Sequence, residues 1–154
     1  MLKTKKITFG IQESEIIPMT TPTAHQVLHP ANWKAAKGYA NGILAEGRAI
    51  YVGGQIGWTG EQIFEAKDLA GQTRQTLQNI VDIVAEAGGR PEHIVKMTWY
   101  ITSKADYLAN LKAVGEAYRS VMGKHFPAMA MVQVAALIED EAKVEIEAVA
   151  VLPN

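Results

Sequence analysis

The last strand-like stretch, KVEIEAVAV, carries two carboxylates, Glu145 and Glu147, two residues apart. On an extended chain that spacing points both to one face, about 7 Å apart. Such a pair can do general acid–base work, or one carboxylate can face a lysine or solvent. KHFPAMAMVQV (residues 124–134) sets Met129, Met131 and Gln133 at the same two-residue interval. Thioethers supply neither charge nor a hydrogen-bond donor, but they fill irregular apolar space well. His25 and His29 stand four apart, a metal-binding interval on a helix. Pro22 and Pro30 flank them and no third ligand is evident, so no metal is expected. GGQIGWTG lacks the lysine and helix start of a phosphate loop. KTKK at the start reads as a solvated end.

These residues need elements to hold them. From Gly42 the text becomes regular. ILAEGRAIYVGGQIG reads as a hairpin: a short strand, a turn at Glu46-Gly47, then a strand over Ala49–Gln55. Leu69, Thr73, Leu77, Ile80, Val84 and Ala87 recur at helical spacing, which predicts a helix from Phe64 to Ala87 closed by Gly88-Gly89. IVKMTWYIT (94–102) is rich in β-branched and aromatic residues and predicts a strand. Ser103 is placed to cap a second helix, carrying Leu108, Leu111, Val114, Tyr118 and Val121 and ending at Gly123. Strands over Met129–Leu137 and Lys143–Leu152 complete a β-β-α-β-α-β-β order, an α+β layer fold with helices on one sheet face. Alternation assigns Val144, Ile146, Ala148 and Ala150 to the helix side, with Ala130, Val132, Val134 and Ala136. Met129, Met131 and Gln133 then belong to the opposite face, with Lys143, Glu145 and Glu147. That face holds more apolar surface than a monomer readily exposes, which favours oligomerisation.

Bulk properties narrow the classes. The 154 residues suit one domain with a proper core. A formal net charge of −1 supplies no basic footprint for nucleic acid. The absence of cysteine excludes disulfides and thiolate chemistry. The basic start MLKTKK is not followed by an apolar signal core, and no window approaches the ~20 apolar residues of a membrane span. A cytoplasmic protein without membrane contact is expected. Residues 1–35, with PMTTPTAH and HPANW, form an expected N-terminal extension with one short strand at Lys6–Ile11, and residues 36–154 the domain.

From Gly38 onward the chain resembles the Rid family (RidA/YjgF, also called L-PSP or reactive-intermediate deaminases). The residues that carry the likeness are KGYANG, YVGGQIG, QTRQTLQNIVDIVAEAGG, YLANLKAVGEAY, FPAM and KVEIEAVAV, in order and at matching spacing. The resemblance implies a chorismate-mutase-like (YjgF-type) subunit with two helices on one face of a single mixed sheet. It also implies a homotrimeric barrel with small-molecule ligand sites in three clefts between subunits, and no cofactor. Tyr39, Gly54, Asn110 and Glu145 match the family's cleft positions, with Glu145 as the catalytic candidate. Met129 stands where deaminating members carry an arginine that grips the substrate's carboxylate, and Met131 lies beside it. Ala40, Asn41 and Gly53 also depart from the family's Ser, Gln and Ser. Two functions follow from the resemblance: a hydrolytic imine or enamine deaminase with reduced or no use of 2-imino acids, or a non-catalytic trimer that binds a small molecule or stabilises other proteins.

Overall fold

The structure is a computed structural model and describes residues 25–154. The strand expected at Lys6–Ile11 lies outside the described residues. Strands β1 (His25–Leu28) and β2 (Gly42–Ala45) pair antiparallel as a separate ribbon. β3 (Arg48–Ile56), β4 (Ile94–Ile101), β5 (Ala128–Gln133) and β6 (Val144–Leu152) form a mixed sheet in the order β3-β6-β4-β5. Only the β4–β5 pair is parallel. β2 and β3 are both present, but they do not form the expected hairpin. Each finds another partner, β2 pairing with β1 and β3 with β6. Gly47, at φ 143° in the turn between them, sits where a Cβ would lie 1.9 Å from the Leu152 carbonyl oxygen, so the turn passes tightly over the end of β6.

Helix α1 runs over Leu69–Ala85, not from Phe64. Asp68 caps it, accepting from the Gly71 backbone N–H at 3.0 Å. The residues before it fold back instead: Thr59 donates to the Ile63 carbonyl, and Phe64 packs on Trp58 with ring centroids 5.9 Å apart. Gly88 (φ 79°) ends the helix as the sequence indicated. The second predicted helix is broken into α2 (Lys104–Ala109), capped by Ser103, and α3 (Leu111–Met122). Asn110 makes the break with φ −122° and ψ 22°. Its side-chain amide donates to both the backbone and the carboxylate of Asp106, each at 2.8 Å. Among the described residues no helix is long and apolar enough to cross a membrane.

α1 and α3 cover one face of the sheet. Leu77, Ile80 and Val84 from α1, Val114, Tyr118 and Met122 from α3, and Val144, Ile146, Ala148 and Ala150 from β6 are buried there. A fully buried Leu or Ile side chain contributes about 1.5–3 kcal/mol. The methionine-bearing strand faces the other way from the expectation. β4 turns Met97, Trp99 and Ile101 into the core, and the parallel register sets Met97 beside Met129 and Trp99 beside Met131. Met129 and Met131 therefore share the helix-side face and pack against the core, while Ala130 and Val132 are exposed. β5 also ends at Gln133, so Val134 and Ala136 fall beyond it. In AMAMVQV both alternating sets are mostly apolar, and apolarity alone could not separate the faces.

Candidate functional site

Two groups of candidate residues are assembled at opposite edges of the sheet. The first lies along β5. A parallel bridge from Ala40 to Ala128, with the Ala40 N–H donating to the Pro127 carbonyl at 2.9 Å, draws the segment before β2 beside the start of β5. Tyr39 thereby joins Met129 and Met131 in the lining of an open cavity of about 450 Å³. Tyr107 and Leu108 of α2 add apolar wall, and Lys37 and Lys104 also line it. Gln133 is tied to the wall by accepting from the Lys104 backbone N–H at 2.6 Å. Lys37, Lys104 and Tyr107 were not singled out from the sequence; their position follows from the Ala40 bridge and the break at Asn110.

The second group lies on β3 and β6. The β3–β6 pairing carries a bulge between Val52 and Gln55, after which Ile56 pairs with Glu145. A Cβ on Gly54 would lie 2.0 Å from Glu145 Oε1 and 2.9 Å from its Cδ. The Glu145 side chain thus lies directly across the Gly54 backbone, in space only glycine leaves. Glu147 occupies the same open face and accepts from the Tyr100 hydroxyl at 3.0 Å. That hydrogen bond, with lesser desolvation and the nearby carboxylates, raises the Tyr100 pKa and keeps the phenol protonated. Glu147 is therefore bound to a neighbouring strand rather than aligned with Glu145.

Two polar residues of α1, buried Gln72 and half-buried Asn79, fix the strand ends that present Glu145. Gln72 donates to the carbonyls of Ala66 and Glu141 at 3.2 and 2.9 Å and accepts from the Lys143 N–H at 2.8 Å. Asn79 donates to the carbonyls of Ile56 and Trp58 at 3.1 and 2.8 Å. Sequence reasoning missed both. Their signal was a polar side chain on a helix otherwise read by its apolar stripe.

Asn110 joins neither group within one chain, its amide being held by Asp106. His25 and His29 lie in and just after a strand, so the helical metal interval does not apply. The His29 ring nitrogens are 3.1 Å from the Trp33 carbonyl and 3.1 Å from the Asn41 amide nitrogen.

The sequence profile of the family described as Endoribonuclease L-PSP matches residues 30–152. A 2-iminobutanoate/2-iminopropanoate deaminase of Salmonella typhimurium is 37% identical over 105 residues, which cover 68% of this chain and 80% of that protein. Among solved structures, a Rid-family protein of unknown function from Yersinia pestis, YyfB, superposes with a TM-score of 0.75 at 27% identity, over 84% of this chain and 99% of that one. Escherichia coli TdcF with bound serine superposes with a TM-score of 0.59 at 34% identity, over 77% and 91% of the two chains. The chain belongs to the Rid (YjgF/L-PSP) family and has its α+β fold.

Proposed function

We propose that the protein is a deaminase-type hydrolase of imines or enamines, working as a homotrimer with its reaction sites in clefts between neighbouring subunits. The observation that carries this reading is the separation of the two groups. Tyr39, Met129 and Met131 line a cavity at edge strand β5, whereas Gly54 sits on the opposite edge strand, β3, with Glu145 across it. Joining the β5 edge of one copy to the β3 edge of the next brings the halves together and satisfies both open strand edges. It also covers Tyr51 and Val132, which are 81% and 48% exposed in the single chain. The Salmonella relative's name, an imine deaminase, supports the reaction class.

In the joined cleft Glu145 orients a water for addition to the imine carbon and returns a proton to the departing amine. The Gly54 backbone places the substrate against it, and Tyr39 closes the cleft. With the Asn110 amide held by Asp106, positioning rests more on Gly54. Met129 and Met131 make an apolar patch on the opposite wall, which Lys37 and Lys104 also line. A small 2-imino acid would place its carboxylate against thioethers without a donor at position 129. A hydrogen bond to a charged group contributes about 1.5–3 kcal/mol, so that loss weakens binding roughly tenfold to a hundredfold. The preferred substrate therefore presents an apolar or uncharged substituent to the methionines.

The test is hydrolysis of freshly generated imines, with and without a carboxylate, by the wild type, Met129→Arg and Glu145→Gln. The wild type is expected to prefer substrates lacking the carboxylate, and Met129→Arg to gain 2-imino-acid turnover. Glu145→Gln is expected to lose turnover while keeping its oligomer. Wild-type turnover of 2-iminopropanoate at the level of the Met129→Arg variant would overturn the specificity. Undiminished turnover in Glu145→Gln would overturn the mechanism.

A further inference from the structure

Glu147 takes no part in the proposed hydrolysis, yet it shares the open face of the sheet with Glu145. Val144, Ile146 and Ala148, which alternate with the two carboxylates along β6, are buried on the helix side. On neighbouring β4, Trp99 and Ile101 point into the core, so Tyr100 between them stands on the open face as well. The antiparallel register sets Tyr100 directly opposite Glu145, and Thr98 opposite Glu147. Side chains opposed in this way have Cβ atoms about 4.5–5.5 Å apart, so the phenol ring flanks Glu145 on its β4 side. On the β3 side the bulge presents Gly54, which has no side chain.

The Tyr100 ring is tied down rather than free to swing. Its hydroxyl donates to Glu147 Oε1 at 3.0 Å, across the diagonal of the register. That bond is the first cause of the raised Tyr100 pKa, ahead of desolvation and the charges of Glu147 and Glu145, so the hydroxyl keeps its proton and stays a donor. Lys96 lines a cavity on this face with Glu147, but the two form no ion pair among the described residues. The Glu145 carboxylate lies on the other side, over Gly54, with Oε1 2.0 Å from where a Cβ would be. A ring fixed on one flank and a gap left by glycine on the other give the carboxylate one place to lie.

We propose that Tyr100 and Glu147 are positioning residues for Glu145: the ring closes the β4 side, the hydroxyl bond to Glu147 holds the ring there, and the carboxylate is confined to the space over Gly54. A glutamate side chain loses considerable rotamer freedom when it is fixed, and the paired neighbours keep that freedom from returning while the site is empty. Confinement matters because small displacements of a catalytic group cost large factors in rate. The two carboxylates therefore divide the work. Glu145 meets the water, and Glu147 acts through Tyr100 without touching the substrate. The catalytic consequence rests on the hydrolytic reading, whereas the placement of Glu145 does not.

The experiment follows the backbone amide resonance of Gly54 in the full chain as Glu145 ionises, with Glu145→Gln showing which part of the titration belongs to that carboxylate. The size of the shift reports how close the charge lies, whether or not any substrate is turned over. Tyr100→Ala is expected to lose most of it. Tyr100→Phe and Glu147→Ala are each expected to reduce it, and the double variant to fall no lower than either, because all three remove the same bond. Glu147→Gln keeps an acceptor oxygen and is expected to retain the shift. In imine hydrolysis kcat is expected to fall about tenfold in Tyr100→Phe and Glu147→Ala, with KM unchanged, and about a hundredfold in Tyr100→Ala. Should Tyr100→Ala fail to fold, the other variants carry the same test. A Gly54 shift of wild-type size in Tyr100→Ala, additive losses in the double variant, or an equal loss in Glu147→Gln and Glu147→Ala would overturn the proposal. The expected Gly54 pattern without turnover in the wild type would overturn the hydrolytic reading and support the placement of Glu145.

Discussion

Replacing Gln72 by methionine tests whether a buried amide on α1 holds the strand that presents Glu145. Methionine has similar length and fits an apolar surround, so shape is nearly conserved while three hydrogen bonds disappear. Those bonds run from the Gln72 amide to the Ala66 and Glu141 carbonyls and from the Lys143 N–H to the Gln72 side-chain oxygen. Each contributes a net ~0.5–1.5 kcal/mol, and the partners left behind lose their bonds away from bulk water. The expected loss is about 3 kcal/mol. For a chain of this size that corresponds to a fall in Tm of roughly 6–12 °C. Lys143 immediately precedes β6, and Glu145 is its second residue, so a loosened strand entry also displaces the carboxylate. The assay is urea unfolding at matched chain concentration, because association contributes to apparent stability. The midpoint is expected to fall with the slope unchanged. A Gln72→Met variant within about 0.5 kcal/mol of the wild type would refute the reasoning, since it would mean these bonds contribute nothing net.

Gly54→Ala places a methyl 2.0 Å from Glu145 Oε1, so the carboxylate must swing away by more than ~1 Å. A flexible side-chain end can do so cheaply, and the expectation is a roughly hundredfold loss of turnover with little change in melting temperature. Retained turnover would mean that Glu145 is not held to a required position. His93 gives a pH dependence. Desolvation, outweighing the nearby Glu92, lowers its pKa, and its Nδ1 accepts from the Arg90 N–H at 2.9 Å, a bond that needs the neutral ring. The unfolded chain binds this proton near pH 6.5 and the folded chain only below that. Stability contributed by His93 is thus complete above about pH 6.5 and declines as pH falls toward the lowered folded-state value. Unfolding from about pH 7.5 to about pH 5.5 should show a shallower decline in His93→Gln, and an identical decline in both proteins would contradict the assignment.

The fold was readable where one physical signal dominated. Gly88 ends α1 and Ser103 caps α2 because glycine and serine at those places have one good conformational use. The β6 core set Val144, Ile146, Ala148 and Ala150 was legible because charged residues alternate with it at first. β5 gave no such contrast, and the faces of Met129 and Met131 were decided by the parallel register with Met97 and Trp99, a long-range pairing that local periodicity does not encode. The break at Asn110 was hidden by apolar spacing. Leu108 and Leu111 fit the helical stripe yet are 52% and 51% exposed, and they line open cavities beside β5 instead of the core. The Gly54–Glu145 contact is likewise a product of the bulge in β3. Tyr39 reached Met129 through the Ala40 bridge, which no local pattern announces.

Sedimentation equilibrium of the wild-type protein asks most directly whether one chain holds a complete site. Gly54 and the methionines occupy opposite edges of the sheet, and the proposed cleft joins them between neighbouring copies. The expected particle has three times the 16.8 kDa chain mass and persists at the concentrations used for turnover. A protein that sediments as a 16.8 kDa monomer while still hydrolysing imines would contradict the shared cleft.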